Sequence, residues 1–169
     1  YTYANVGGMA NLFDIIVNKK KNVKKVIMTA SMTSYGEGNY ECGKCGIVKP
    51  GLRSDEQMKK SKWELKCPNC DSPTDPVATR EEASVNNNSI YALTKNVQEE
   101  LMMFLGKLYN IPVVSFRCFN VYGPRQSLSN PYTGVTAIFI SRLKNNSQPV
   151  VYEDGMQTRD FVSVHDVVD

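Results

Sequence analysis

Residues 23–36 read VKKVIMTASMTSYG, and this stretch decides the fold. Val26-Ile27-Met28 is an unbroken apolar, β-rich run, the composition of a strand buried on both faces of a parallel sheet. The run passes directly into Ser31-Met-Thr-Ser-Tyr35-Gly36, which sets a hydroxyl just past the carboxyl end of the strand. In open α/β sheets that edge is where ligands bind. Upstream, residues 6–18 carry the spacing of an amphipathic helix that ends in Lys19, Lys20 and Lys21, cations suited to its carbonyl end. Downstream, Leu93, Val97, Leu101, Phe104, Leu105 and Leu108 recur at intervals of mostly three and four residues. Asn88 or Ser89 can cap the start of that helix, and Asn110-Ile111-Pro112 stops it. A strand over 113–119, a loop through Gly123-Pro124-Arg125, a helix over 135–144 and a strand over 150–152 follow. This alternation predicts an α/β fold, a parallel sheet with crossover helices.

The 169 residues, 41% hydrophobic and 22% charged, are enough for one ordinary domain and too apolar for a disordered chain. A net charge of +3 is small and scattered, so the composition argues for neither nucleic acid nor a membrane surface as partner. No apolar run approaches the ~18 residues of a membrane span. The chain opens within a few residues of a helical pattern and closes on Val167-Val168-Asp169 without a turn or cap, so it is expected to be an internal piece of a longer protein.

Residues 38–76 break the rhythm and read as an insertion, with the core expected over 1–37 and 77–169. The insertion carries Cys42-Gly-Lys-Cys45 and Cys67-Pro-Asn-Cys70, two C-x2-C knuckles. Such spacing lets the two sulfurs of a knuckle face one ion, and two knuckles complete a tetrahedron. The expectation is a zinc-ribbon-like site in which Cys42, Cys45, Cys67 and Cys70 hold a structural zinc, with rubredoxin-type iron as the chemical competitor. Four protein ligands leave no position open for substrate. Cys118 is left over and reads as a small core residue.

Tyr91-Ala-Leu-Thr-Lys95 sets a phenol and an ammonium one turn apart on one helix face. An ammonium that near favours the ionised phenol, the form a general base needs. Tyr40 and Lys44 share the spacing but fall in the first cysteine knuckle, where no helix aligns them. Ser31, at the strand tip, becomes a candidate proton relay beside Tyr91.

Five segments together resemble the extended short-chain dehydrogenase/reductases, and within them the NAD-dependent epimerase/dehydratase family. Tyr3-Ala-Asn5-Val6-Gly-Gly8 is similar to the family's Y-x-N-V-x-G, and Thr29 to Gly36 to its S-S-x-x-V-Y-G. Tyr91 to Lys95 is similar to Y-x-x-x-K, Arg117-Cys-Phe-Asn120-Val-Tyr-Gly-Pro-Arg125-Gln126 to R-Y-F-N-V-Y-G-P-R-Q, and Asp154 to Phe161 to D-G-x-Q-x-R-D-F.

The resemblance implies a Rossmann-type core and a nucleotide-sugar 4-epimerase of the dTDP-L-rhamnose or UDP-hexose type, using NAD. It implies Tyr91 as the base on the sugar hydroxyl, Lys95 on the nicotinamide ribose and Ser31 as a hydrogen-bond partner of the same hydroxyl. Asn5 and Phe119 match positions that contact NAD. Asn120 and Arg159 match positions that hold the diphosphate, and Val150, Val151 and Tyr152 the strand against the nucleotide base, with Thr133 on the substrate loop. A nucleotide-diphosphate sugar as ligand, a cytoplasmic homodimer and no nucleic-acid or membrane partner are expected on the same ground. Met32 and Thr33 stand where dehydratases and decarboxylases carry Asp and Glu, which favours epimerisation. A dehydratase or reductase of the same family is the alternative reaction, and a zinc-ribbon docking module on an inactive scaffold the alternative class. No G-x-G-x-x-G occurs, so residues 1–169 are expected to be inactive by themselves and to bind NAD poorly.

Overall fold

The computed structural model describes residues 1–19, 22–127 and 134–169. The chain divides into two compact units, Tyr1–Cys118 and Phe119–Asp169.

In the first unit a π-helical turn, Tyr3–Gly7, leads into α1, Gly8–Asn18. Strand β1, Val26–Thr29, pairs in parallel with β5, Val113–Phe116, in the register Val26 to Val113 through Thr29 to Phe116. The long helix α3, Ile90–Leu108, makes the connection between them. Its first turn is fixed by Ser89, whose Oγ accepts from the Ala92 N–H at 3.0 Å and satisfies one donor the helix start would leave orphaned. Its end is fixed by Asn110, which takes the left-handed conformation (φ +56°) before Ile111-Pro112. Phe13 and Ile16 of α1, Val26, Met28 and Ala30, and Met102 of α3 form one buried cluster, with Met9, Leu105, Ile111 and Val113 packed around it. The larger fully buried members, such as Phe13, Met28 and Met102, contribute about 1.5–3 kcal/mol each by burial.

One expectation is corrected here. Burial along β1 alternates instead of covering both faces, and Ile27 is 63% exposed. The helices α1 and α3 cover one face only, so Ile27, Val114 and Phe116 lie on a face with no helical layer against it among the described residues. The apolar stripe of α3 coincides only in part with its core face, Leu105 being the member that packs on the buried cluster. Leu93, Phe104 and Leu108 are half or more exposed, while Ala92, Thr94, Lys95, Asn96, Gln98, Met102 and Gly106 are buried. The buried face is the one that meets the strand tips and needs polar groups there.

A three-stranded antiparallel sheet in the order β3-β2-β4 frames the inserted segment and runs one residue past its expected end at 76: β2, Asn39–Cys42; β3, Gly46–Val48; β4, Asp75–Val77. A one-turn helix, α2, Asp55–Lys59, is capped by Ser54. Strands of three and four residues are too short to show a period in sequence.

In the second unit β6, Asn120–Tyr122, pairs in parallel with β7, Phe161–Ser163. Helix α4, Val135–Lys144, lies between them in sequence, and α5, Val164–Val168, follows. The expected strand at Val150, Val151 and Tyr152 is not formed. These residues are 50%, 59% and 75% exposed, and no strand among the described residues offers them a ladder. β-Branched composition without a partner does not make a strand.

Candidate functional site

The site of the first unit is built at the tip of β1. Immediately past Thr29, Ser31 caps a short 3-10 turn, Met32–Tyr35: its buried Oγ accepts from the Thr33 N–H (3.3 Å) and the Thr33 hydroxyl (2.9 Å). The turn is tied to its surroundings by Met32 N–H to the Cys118 carbonyl (3.1 Å) and by Asn86 N–H to the Ser34 carbonyl (2.8 Å). Gly36 closes it at φ +70°, with a Cβ there meeting the Asn86 carbonyl at 2.7 Å, so only glycine fits.

Helix α3 brings Lys95 to the same tip. Its Nζ donates to the Thr29 carbonyl (2.5 Å) and to Gln98 Oε1 (2.8 Å), leaving one N–H unspent. Burial lowers the Lys95 pKa from its ordinary value, opposed by the nearby Cys118 thiol. Tyr91, half-buried one turn earlier, packs its ring edge-on against Tyr1, with centroids 5.2 Å apart. Asn5 on the π-helical turn reaches α3: its Nδ2 donates to Thr94 Oγ1 (3.1 Å), whose hydroxyl donates to the Tyr91 carbonyl (3.0 Å). Ser31, Lys95 and Asn5 are thus set around the first turns of the Tyr91 helix. Among the described residues the Tyr91 hydroxyl bonds to neither Lys95 nor Ser31. Tyr40 lies in strand β2, away from any helical pairing with Lys44.

In the second unit, Asn120 is anchored to the segment before β7, its backbone N–H (3.2 Å) and Nδ2 (2.9 Å) both donating to the Asp160 carbonyl. Arg159 is exposed and donates to the Thr158 carbonyl (2.7 Å). Phe119 is half-buried. Thr133 lies outside the described residues. His165 sits in the first turn of α5, its N–H donating to the capping Ser163 hydroxyl.

The four knuckle cysteines come together in the inserted sheet, their Sγ atoms all within 4.8 Å of one another. Cys42 and Cys70 sulfurs are 3.6 Å apart and Cys45 and Cys70 3.5 Å, and all four are free thiols. Four sulfurs bound at about 2.3 Å around a tetrahedral zinc lie about 3.8 Å apart, so the donor set fits such an ion. Cys42 and Cys67 are buried while Cys45 and Cys70 are exposed. The crowding has an electrostatic signature. Hydrogen bonds from Cys70 and then Cys67 push the Cys45 thiol up to about 12, whereas bonds from Ser72 bring Cys70 down to about 6. Sulfurs this close do not all ionise without a cation between them.

One cluster escaped the sequence reading. Arg117 forks onto Glu99 of α3, with Nε to Oε2 at 3.0 Å and Nη2 to Oε1 at 2.8 Å. It also donates to the Glu81 carbonyl (3.3 Å) and lies 4.9 Å from the centroid of the Tyr35 ring. The only trace in sequence is that Arg117 opens the R-C-F-N segment; its partners lie too far along the chain to be read from spacing.

The model of the NAD dependent epimerase/dehydratase family matches residues 68–169. The dTDP-L-rhamnose 4-epimerase of Burkholderia thailandensis is 36% identical over 174 aligned residues, which take in 100% of this chain and 45% of that protein. Among solved structures, the UDP-N-acetylglucosamine 4-epimerase from Methanobrevibacter ruminantium, in complex with UDP-N-acetylmuramic acid, matches with a TM-score of 0.69 at 30% identity. The UDP-glucose 4-epimerase from Thermotoga maritima, with UDP-glucose, matches with a TM-score of 0.71 at 25% identity. Each of these matches covers 99% of this chain and 42% of the other, so the chain spans less than half the length of the relatives it matches. The residues that cap, anchor and surround the β1 tip, taken with these matches, give a single assignment: the chain belongs to the NAD dependent epimerase/dehydratase family.

Proposed function

We propose that the protein of which these residues form part inverts C4 of a nucleotide-diphosphate sugar, with a dTDP-6-deoxyhexose or a UDP-hexose as substrate. The observation that carries the reading is the meeting of Lys95 Nζ with the β1 tip at Thr29, two residues before Ser31, on the helix that bears Tyr91. When bound, NAD supplies a reversible hydride acceptor at C4. The chemistry of Lys95 suits its nicotinamide-ribose end, since two of its three N–H groups are used among the described residues and the third is left for a ribose hydroxyl; Asn5 and Phe119 are read as NAD contacts from the family resemblance alone. Tyr91 takes the proton of the C4 hydroxyl and later returns it, and Ser31 holds that hydroxyl by a hydrogen bond. Asn120 and Arg159 hold the diphosphate, an amide and a forked guanidinium suited to phosphate oxygens. Val150, Val151 and Tyr152 are assigned to the nucleotide base and Thr133 to the substrate loop.

Thr33 supports epimerisation over elimination. Its hydroxyl is committed to Ser31 as part of the turn, and Met32 has no acid-base group, so no second acid or base follows the catalytic hydroxyl. Residues 38–76 are read as a structural metal insert in a core made of 1–37 and 77–169, with zinc held by Cys42, Cys45, Cys67 and Cys70. The exposed apolar residues of α3 (Leu93, Phe104, Leu108) and of α1 (Leu12, Ile15) support a homodimer paired through these helices. The enzyme is read as cytoplasmic from the family resemblance; no helix among the described residues is long and apolar enough to cross a membrane.

The test is incubation of the full-length protein and NAD with dTDP-L-rhamnose, UDP-glucose and UDP-N-acetylglucosamine, followed by proton NMR of the sugar. Appearance of the C4 epimer from one of them is expected; a 4-keto product lacking the C6 oxygen, or no conversion, overturns the assignment.

A further inference from the structure

Three features of the first unit meet at one guanidinium. Arg117, just past β5, forms a two-point ion pair with Glu99, one turn beyond Lys95 on α3. The pair is well shielded, with 23% and 14% of the two side chains exposed. The same guanidinium lies over the ring of Tyr35, the last residue of the turn that Ser31 caps. It also donates to the Glu81 carbonyl, and the Tyr35 hydroxyl donates to that same carbonyl at 3.1 Å. Glu81 lies on the strand of chain that returns from the four-cysteine sheet, a few residues beyond β4. The outgoing arm leaves Tyr35 through Gly36 and is clipped to the returning arm by Asn39 N–H to Thr79 Oγ1 at 3.3 Å.

We propose that Arg117 is a positioning residue that couples the four-cysteine insert to the catalytic turn. It fixes the spacing between the Ser31–Tyr35 turn and the Tyr91–Lys95 helix, and it does so while gripping the stem of the insert. Order in the cysteine sheet is therefore transmitted to Ser31, and loosening of that sheet is felt at the β1 tip. The guanidinium suits this task because its planar fork holds a carboxylate at two points while its face packs on an aromatic ring. A lysine offers a point charge that can do neither at once. Glu99, foremost among its neighbours, holds the guanidinium firmly protonated, so the tie persists across the working pH range. The inference rests on the proposed epimerase for its kinetic consequence, but not for its structural one.

The test uses the full-length protein with R117Q and R117K, each with the insert intact or carrying C45S together with C70S. Deuterium exchange of the peptide containing residues 31–36 is measured first, kcat and KM second. With Arg117 present, the cysteine changes are expected to speed exchange of 31–36 by about tenfold and to lower kcat by a similar factor, with KM altered less than about twofold. In R117Q the exchange is already fast and the cysteine changes add less than about twofold; R117K falls between. If the cysteine changes leave 31–36 exchange untouched when Arg117 is present, or if the two perturbations add independently, the coupling is refuted. Should R117Q fail to fold by size exclusion and circular dichroism, R117K and E99Q carry the same comparison. Absence of turnover in every protein overturns the epimerase reading alone, and the exchange data still decide the coupling.

Discussion

Helix α3, which carries Lys95 to the β1 tip, lies close against the segment that leads into β5, and Gly106 is what permits that approach. A Cβ at Gly106 would meet Val113 Cγ2 at 2.3 Å and the Ile111 carbonyl at 2.8 Å, against the ~3.5–4 Å that carbon contacts require. G106A sets two opposed effects against each other. Alanine is favoured over glycine inside a helix by about 1 kcal/mol. Overpacking a tight contact costs about 1–3 kcal/mol, and here one of the clashing atoms is backbone. That backbone cannot easily retreat, because the Ile111 N–H is bonded to the Gly106 carbonyl at 2.8 Å. Sterics should win, leaving G106A about 1–2 kcal/mol less stable in urea titrations of the full-length protein at unchanged slope. V113A in the same background removes the 2.3 Å contact but not the one to the carbonyl, so it should restore only part of the loss. Gly51, with nothing within 4 Å of its added Cβ, is the control, and G51A should stay within about 0.5 kcal/mol of the parent. A G106A protein as stable as its parent or more so would refute the close packing of α3 on this segment.

Further outcomes follow from other contacts. S89A removes the acceptor for the Ala92 N–H and should cost about 1 kcal/mol, read from the same titrations. One zinc ion per chain is expected by elemental mass spectrometry, lost in C42S or C67S; a red, visibly absorbing iron centre or four freely titrating thiols would contradict the zinc assignment. Burial penalises the charged form of Lys95 in the folded chain and not in the unfolded one. That penalty is complete below the lowered folded pKa and disappears as the pH rises to the ordinary lysine value. The stability of K95M relative to the parent should therefore be most favourable below that window and decline as the pH rises through it, as thermal melts would show.

Much of this fold could be read from the chain before any coordinates. Ser89, the three-and-four spacing after it and Asn110-Ile111-Pro112 located α3 because caps and stops are local chemistry. The same spacing could not say which side of α3 is buried, since a stripe of leucines looks alike whether it meets a core or another surface. Val150 to Tyr152 looked like a strand by composition and failed to be one for want of a neighbour, a property of the tertiary structure. β6 carries no legible period, being three residues long and running straight into Gly123-Pro124. At the site, Ser31, Tyr91, Lys95 and the four cysteines could be picked out from position and spacing. Arg117 could not, because its role depends on Glu99, Glu81 and Tyr35, which only folding brings together.

In the proposed reaction the Tyr91 hydroxyl moves the C4 proton while other groups hold the sugar. Y91F in the full-length protein tests it most directly, with turnover and nucleotide-sugar affinity measured on the same preparation. Turnover should fall by a factor of about a hundred or more while the dissociation constant of the nucleotide sugar stays within about threefold. A Y91F enzyme that still inverts C4 at the parent rate would contradict the account.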